Sequence, residues 1–176
     1  MPFSSLLDEA LEAWQYTRAG VISEIRNLPD VSLNYRPTAN SRTPAEIARH
    51  IVESGLMMAG ELSRPDGDFR RKTFPQFMKE YTKGLKPLGT TPNKKQLIQL
   101  LTKTREDGEK KLRAAGSLHM LQYITRFDGQ QGTRLAWMNH GISHEEYHRG
   151  QLALYARLVG RVPALTQLIY GKKPSA

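Results

Sequence analysis

The sequence predicts an all-α protein, a four-helix bundle with a long crossover between its second and third long helices. Apolar residues recur at three- and four-residue steps through four long segments, the pattern of helices that bury one face. Cap residues stand at the heads of three of these segments. No segment keeps a strand-like alternation, and no internal repeat is present. With 176 residues, 39% of them hydrophobic and 24% charged, the composition is ordinary for a globular protein, and residues 1–176 read as one domain.

The first helix is expected from about Ser4 to Asn27, with Phe3, Leu7, Ala10, Trp14, Thr17, Val21, Ile25 and Leu28 on its inner stripe. Pro29 follows, and residues 33–40 form a polar connection. The second helix is announced by Thr43-Pro44-Ala45-Glu46, in which Thr43 caps, Pro44 takes the first helical position and Glu46 closes a capping box. It runs to about Leu62, with Ile47, His50, Ile51, Ser54, Met57 and Met58 inward. Residues 63–90 carry Pro65, Gly67, Pro75, Gly84, Pro87 and Gly89 and read as a crossover with one short helix near Gln76 to Thr82. Thr91-Pro92 repeats the cap-then-proline signature and opens a third long helix to about Ala115, stopped by Gly116. Leu118 to Phe127 reads as extended, Gly129 and Gly132 break the chain, and Thr133 caps a last long helix to about Leu158. Gly150 on this helix is expected to admit a close neighbour, and Glu145 with Arg149 to form a surface ion pair. Residues 161–176 read as a tail.

Composition narrows the function classes. The chain has no cysteine, so it has no disulfide and no thiolate, and a metal site must use imidazole, carboxylate or water. No run approaches the roughly 18 apolar residues of a membrane span, and the N-terminus lacks a basic segment before an apolar one, so a cytoplasmic location is expected. The net charge of +9 raises nucleic acid binding, but the basic residues are scattered and interleaved with Glu106, Asp107 and Glu109, and residues 82–122 hold no aromatic to stack on bases. A solvated surface explains them better.

Chemistry concentrates in Asn139-His140-Gly141-Ile142-Ser143-His144-Glu145-Glu146-Tyr147-His148-Arg149-Gly150-Gln151. Histidines four apart on a helix share one face, and a neutral imidazole pair at that spacing can grip one ion. His140 and His148 lie about 12 Å apart along the axis at ~1.5 Å per residue, too far to share an ion. Spacing therefore leaves two pairs open, His140 with His144 or His144 with His148. On the second helix, His50 sits where the stripe would take a leucine, with Glu53 one turn on.

His144-Glu145-Glu146-Tyr147-His148-Arg149-Gly150-Gln151, continuing Leu-Ala-Leu-Tyr-Ala-Arg-Leu-Val-Gly to residue 160, resembles the terminal motif of the DinB-like superfamily. Thr43 to Ile51 resembles its second-helix signature, a cap and an apolar run into histidine. The resemblance implies a four-helix bundle holding a divalent metal ion on His50, His144 and His148, with His140 as a lining residue. The family includes metal-dependent thiol S-transferases that use low-molecular-weight thiols such as bacillithiol or mycothiol, and maleylpyruvate isomerases; several members are homodimers. It thus implies a small-molecule substrate, a homodimer, and zinc or nickel before iron or manganese as the ion.

Three neutral imidazoles leave an ion its full charge and open positions, the pattern of catalytic sites. Thiol S-transfer to an electrophilic small molecule is the leading expectation. Hydrolysis comes second and a non-catalytic metal- or ligand-binding stress protein third. By helical projection, Glu53, Gln151 and Tyr155 are the candidate base or orienting groups, and Met57, Trp137 and His140 the candidate pocket walls.

Overall fold

The computed structural model describes residues 3–87, 89 and 92–171. Four long helices form the bundle: α1 (Leu6–Asn27), α2 (Pro44–Leu62), α4 (Lys94–Ala115) and α6 (Arg134–Leu158). Between them lie a 3-10 turn (Asp30–Asn34) and the short helices α3 (Phe74–Thr82) and α5 (Ser117–Met120). A two-stranded hairpin of β1 (Tyr123–Thr125) and β2 (Gln131–Thr133) precedes α6, and α7 (Ala164–Tyr170) follows it. No helix is long and apolar enough to cross a membrane among the described residues.

The caps do what the sequence promises. Thr43 accepts from the Glu46 backbone while the Glu46 carboxylate accepts from the Thr43 N–H at 2.7 Å, a closed capping box. Thr133 accepts from the Ala136 N–H and starts α6. α1 begins one turn into the sequence, capped by Ser5; Leu7, Ala10, Trp14, Thr17, Val21, Ile25 and Leu28 are buried, whereas Phe3 is exposed.

Three local expectations are corrected. The third long helix starts at Lys94 under an Asn93 cap, whose side chain accepts from Gln96; Thr91 lies outside the described residues. The stretch from Leu118 is not extended throughout, because α5 comes first and only Tyr123–Thr125 pairs, antiparallel to Gln131–Thr133. Gly150 is exposed with open space where a Cβ would stand. The close approach falls at Gly108, where a Cβ would stand 2.6 Å from the Trp14 ring and 3.0 Å from Ala59, and at Gly141, which packs against the Met58 sulfur.

Side-chain contacts fix the helix directions. α1 and α6 run parallel, since Trp14 meets Glu145 and Gly20 lies against the Arg149 side chain. α2 and α6 run antiparallel, with His50 against His144 near the middle and Leu62 against Arg134 at one end. α4 opposes α1, with Arg113 on Asp8 and Lys94 on Leu28. Each of α1 and α2 touches both α4 and α6, so α1 and α2 stand mainly diagonal to one another. The order is up, down, down, up. Because α2 and α4 point the same way, the chain between them must climb the whole bundle, which is the physical reason for a crossover of this length.

The crossover is tied down. Glu61, fully buried, accepts two bonds from Arg71 at 2.8 and 2.6 Å and one from the Tyr81 hydroxyl at 2.6 Å. Buried Arg134 donates to the backbone carbonyls of Leu62, Pro65 and Gly67. Within what reads as a tail, α7 docks on α1, its first N–H, that of Ala164, donated to the Glu24 carboxylate at 2.9 Å.

The apolar interior falls into two clusters. One gathers Val21, Ile25, Leu28, Ile47, Ile51, Leu97, Leu101, Leu152 and Tyr155; the other gathers Leu7, Leu11, Trp14, Met58, Leu62, Phe77, Leu112, Met138 and Ile142. Each fully buried Leu or Ile contributes about 1.5–3 kcal/mol by leaving water. Between the clusters lies a polar layer formed by Arg18, Thr104 and Glu145.

Candidate metal centre

At the level of that polar layer, α2 and α6 bring three imidazoles together. His50 Nε2 lies 3.1 Å from His144 Nε2, and His148 Nε2 lies 3.1 Å from the same atom. The three ligand nitrogens fall within 4.8 Å of one another, and this is the one such group of histidines and carboxylates among the described residues. Nitrogens bound to a tetrahedral ion at ~2.0–2.1 Å stand roughly 3.4 Å apart, so the cluster fits one divalent ion. Ring centroids 4.5 to 5.0 Å apart and nearly perpendicular planes keep the rings from stacking on each other's faces. His148 is buried, and His50 and His144 are half-buried.

The tautomer of His148 is set by its neighbour. Gln151, three residues on and on the same helical face, offers its Oε1 to His148 Nδ1 at 2.7 Å. The amide oxygen only accepts, so the proton sits on Nδ1 and the lone pair of Nε2 faces the triad, the arrangement of a metal-ligating histidine. Burial holds His50 down to about 4, and the Arg42 guanidinium and the other two rings push the same way. Burial likewise lowers His144 and His148, with Arg42 again adding to the effect; for His148 the bonds to Gln151 and the nearby Glu145 charge act in opposition. The rings are therefore neutral near pH 7, as ligation requires.

The other expected site residues part company. Tyr155 is buried and its hydroxyl donates to the Arg42 carbonyl; burial raises its pKa, which keeps the phenol protonated. Glu53 accepts from Arg49 Nε at 2.6 Å, so its carboxylate is engaged by a guanidinium. His140 is exposed and lies against Trp137, ring centroids 5.0 Å apart, outside the triad. Trp137 also touches Phe69 at 5.1 Å and carries Arg126 over its face at 4.6 Å, while Met57 is half-buried beside the same cluster.

Glu145 and Arg149 are not a surface pair. Glu145 is buried and binds Arg18 through both carboxylate oxygens and the Trp14 indole N–H at 3.0 Å. Arg149, also buried, instead pairs with Glu146 at 2.9 Å. The sequence held one signal of this: Arg18 lies beside the apolar stripe of α1, where an unpaired charge would be costly. Residues next to each other on a helix point about 100° apart, so α6 can aim His144 at α2 and Glu145 at α1. Arg42 was missed because a loop residue has no periodicity to place it.

Comparison with solved structures finds the same fold elsewhere. A DinB-like protein from Bacillus subtilis, YjoA, superposes with a TM-score of 0.66 at 17% identity, covering 88% of this chain and 94% of that one. YfiT from Bacillus subtilis, described as a probable metal-dependent hydrolase with an unusual four-helix bundle topology, gives 0.66 at 12% identity over 92% of this chain and 94% of that one. A variant of the mycothiol-dependent maleylpyruvate isomerase gives 0.64 at 10% identity, with 85% of this chain spanning 63% of that one. No curated protein matches the chain. Residues 9–152, which include all three clustered histidines, match the DinB superfamily, and the chain belongs to that family.

Proposed function

We propose that the protein is a metal-dependent enzyme that transfers a low-molecular-weight thiol to an electrophilic small molecule. The observation that carries the reading is the convergence of three imidazole nitrogens from two helices on one point, with no carboxylate in the cluster. A divalent ion held only by neutral ligands keeps its full charge and an open position, and when bound there it would acidify a thiol to the nucleophilic thiolate. Zinc or nickel suits an all-imidazole donor set, with iron or manganese after them. Likeness to a mycothiol-dependent enzyme supports thiol chemistry, and likeness to a probable metal-dependent hydrolase supports a second reading, hydrolysis at the same site.

The chain's own groups have distinct work. Gln151 keeps the His148 proton on Nδ1 and so keeps Nε2 available. Tyr155, protonated and fixed on the Arg42 carbonyl, ties α6 to the residue that precedes the α2 cap. Trp137 and His140, ring beside ring one turn and more before His144 on α6, would offer the body of a substrate an aromatic surface, with the Met57 thioether of α2 as a further candidate contact. Glu53 would serve as a base only after release from Arg49.

A homodimer is part of the proposal. Ser143, Tyr147, Gly150, Leu154 and Leu158 follow one another at four-, three-, four- and four-residue steps on the outer face of α6, all exposed. Tyr147, Leu154 and Leu158 are 66%, 54% and 51% accessible, and the open space at Gly150 suits a second helix. Light scattering on the purified protein tests it; a monomer at all concentrations would sink it.

The test of function starts with elemental analysis of untagged wild type, His50→Ala and His148→Ala. Near-stoichiometric metal in wild type, lost in both variants, is expected, followed by binding of small thiols that requires the ion. Metal-loaded protein that binds no thiol and loses no activity on His148→Ala would overturn the reading.

A further inference from the structure

A cleft opens between α1, α6 and α7. Tyr16, Ala19 and Gly20 of α1, Arg149 of α6 and Leu165 and Leu168 of α7 line a volume of about 420 Å³, within the roughly 300–1,000 Å³ of small-molecule sites. The triad faces α2, with His148 against the His50 ring. Arg149, the next residue and about 100° further round the helix, faces α1 at Gly20. The cleft and the triad therefore lie on different sides of α6.

Arg149 is the charged residue of the lining, and it is 8% accessible. Two other lining residues place its guanidinium. Its Cζ stands 5.3 Å from the centroid of the Tyr16 ring, and it lies on the α1 backbone at Gly20, where a Cβ would stand 2.3 Å from both Cζ and Nε. Glycine weakens a helix interior, and here the missing side chain is what lets a charge lie between α1 and α6. Of the five N–H donors of a guanidinium, those on Nη1 meet Glu146 at 2.9 Å, and no other carboxylate pairs with Arg149 among the described residues. An ion pair three residues apart on a helix offsets little of the cost of burying a guanidinium. The other polar groups of the lining are spent within the protein: the Ser23 hydroxyl donates to the Ala19 carbonyl, and the Gln167 amide donates to Asn27 and to the Val162 carbonyl.

We infer that the cleft is a ligand site separate from the triad, and that it takes a small carboxylate with an apolar body. The carboxylate lies on Arg149 and the body against Tyr16, Leu165 and Leu168. A guanidinium matches the charge and the planar fork of a carboxylate, and the apolar walls reward a ligand whose other end leaves water. No carboxylate of the protein lines the cleft to compete for the charge. The site needs no metal ion, so it stands or falls independently of thiol chemistry at the histidines.

The experiment titrates 4-phenylbutyrate, 4-phenyl-1-butanol and butyrate into the full chain by calorimetry, zinc-loaded and metal-free. Wild type, Arg149→Gln, Gly20→Ala and Leu168→Glu are compared, with the melting temperature measured on each. Wild type is expected to bind 4-phenylbutyrate equally with and without zinc. It should bind the alcohol, which lacks the charge, and butyrate, which lacks the body, about tenfold or more weakly. Arg149→Gln should weaken 4-phenylbutyrate about 10- to 100-fold, the range of a hydrogen-bonded charge contact. Gly20→Ala, whose Cβ displaces the flexible end of Arg149, should weaken it as well. Leu168→Glu sets a negative charge at a residue 79% accessible, so it keeps the fold even if Arg149→Gln does not, and it too should weaken the acid while sparing the alcohol. Binding of 4-phenylbutyrate that requires zinc moves the ligand to the triad and overturns the site. Binding unchanged in Leu168→Glu and in folded Arg149→Gln, or equal binding of acid and alcohol to wild type, overturns the role of Arg149. No binding of 4-phenylbutyrate to wild type overturns the inference and leaves the thiol reading untouched.

Discussion

Arg18 on α1 and Glu145 on α6, 127 residues apart in sequence, close on each other inside the bundle with side chains 1% and 4% accessible. Glu145 is next in sequence to His144, so this pair sets the rotation of α6 about its axis at the level where the triad forms. Arg18 also donates to the Leu101 carbonyl at 2.6 Å and to Thr104 at 3.2 Å, which ties α4 into the same layer. Removing one partner leaves a buried charge unmatched. Glu145→Ala should lower unfolding free energy by about 3–5 kcal/mol in a denaturant titration, whereas Arg18→Met with Glu145→Leu should cost far less. Equal losses in the single and double variants would contradict this role.

Gln151 should act on metal affinity through His148, whose Nδ1 it holds. Gln151→Leu removes the acceptor on Nδ1, and the affinity for zinc should fall about 10- to 100-fold in a chelator competition. Gln151→Glu, which retains an acceptor, should fall much less. An unchanged affinity in Gln151→Leu would remove Gln151 from the site.

His140 makes the opposite prediction. Its ring lies on Trp137 outside the cluster, so His140→Ala should retain full metal stoichiometry, in contrast to His50→Ala and His148→Ala. Metal loss in His140→Ala would bring back the ligand pair that helical spacing alone allows.

Acid should destabilise the metal-free protein. In the folded state burial lowers all three imidazoles, His50 to about 4 from an ordinary value of 6.5. Between those values the unfolded chain binds protons that the folded chain does not, so stability is present above about 6.5 and is lost as pH falls toward 4. Melting temperatures of metal-free wild type should drop across that interval more steeply than those of His50→Ala. Parallel curves would show that His50 is not held neutral by folding.

Gly108 lets α4 pass close to Trp14 and Ala59. The indole is fully buried and anchored through Glu145, so it has little room to yield. Gly108→Ala should destabilise by about 1–3 kcal/mol, while Gly150→Ala, with open space around it, should be neutral or mildly stabilising in the monomer.

The features legible in sequence are those with a local cause. Helix α2 is readable from Thr43, Pro44 and Glu46 because a capping box is made within four residues, and the stripe of α1 follows from periodicity alone. The three histidines were readable through the family motif, since spacing on α6 leaves the ligand pair open and nothing on α2 singles out His50. Glu145 was misplaced because its partner lies on a helix far away in sequence, and Arg42 was passed over because the loop that fixes it is held by Tyr155, 113 residues on. The start of α4 went to Asn93 because an amide side chain competes for the same role as the Thr-Pro pair upstream.

The antiparallel seating of α2 against α6 joins residues 94 positions apart in the chain at a single point. Neither half of the sequence owns a complete set of ligands, so an ion that bridges them binds the finished topology and hardly binds the unfolded chain. Occupancy then raises the free energy of unfolding by RT ln(1 + [M]/Kd), about 4 kcal/mol at a thousandfold excess over Kd. A long excursion of chain, once closed by one ion, would make metal supply a control on the lifetime of the protein as well as on the proposed chemistry.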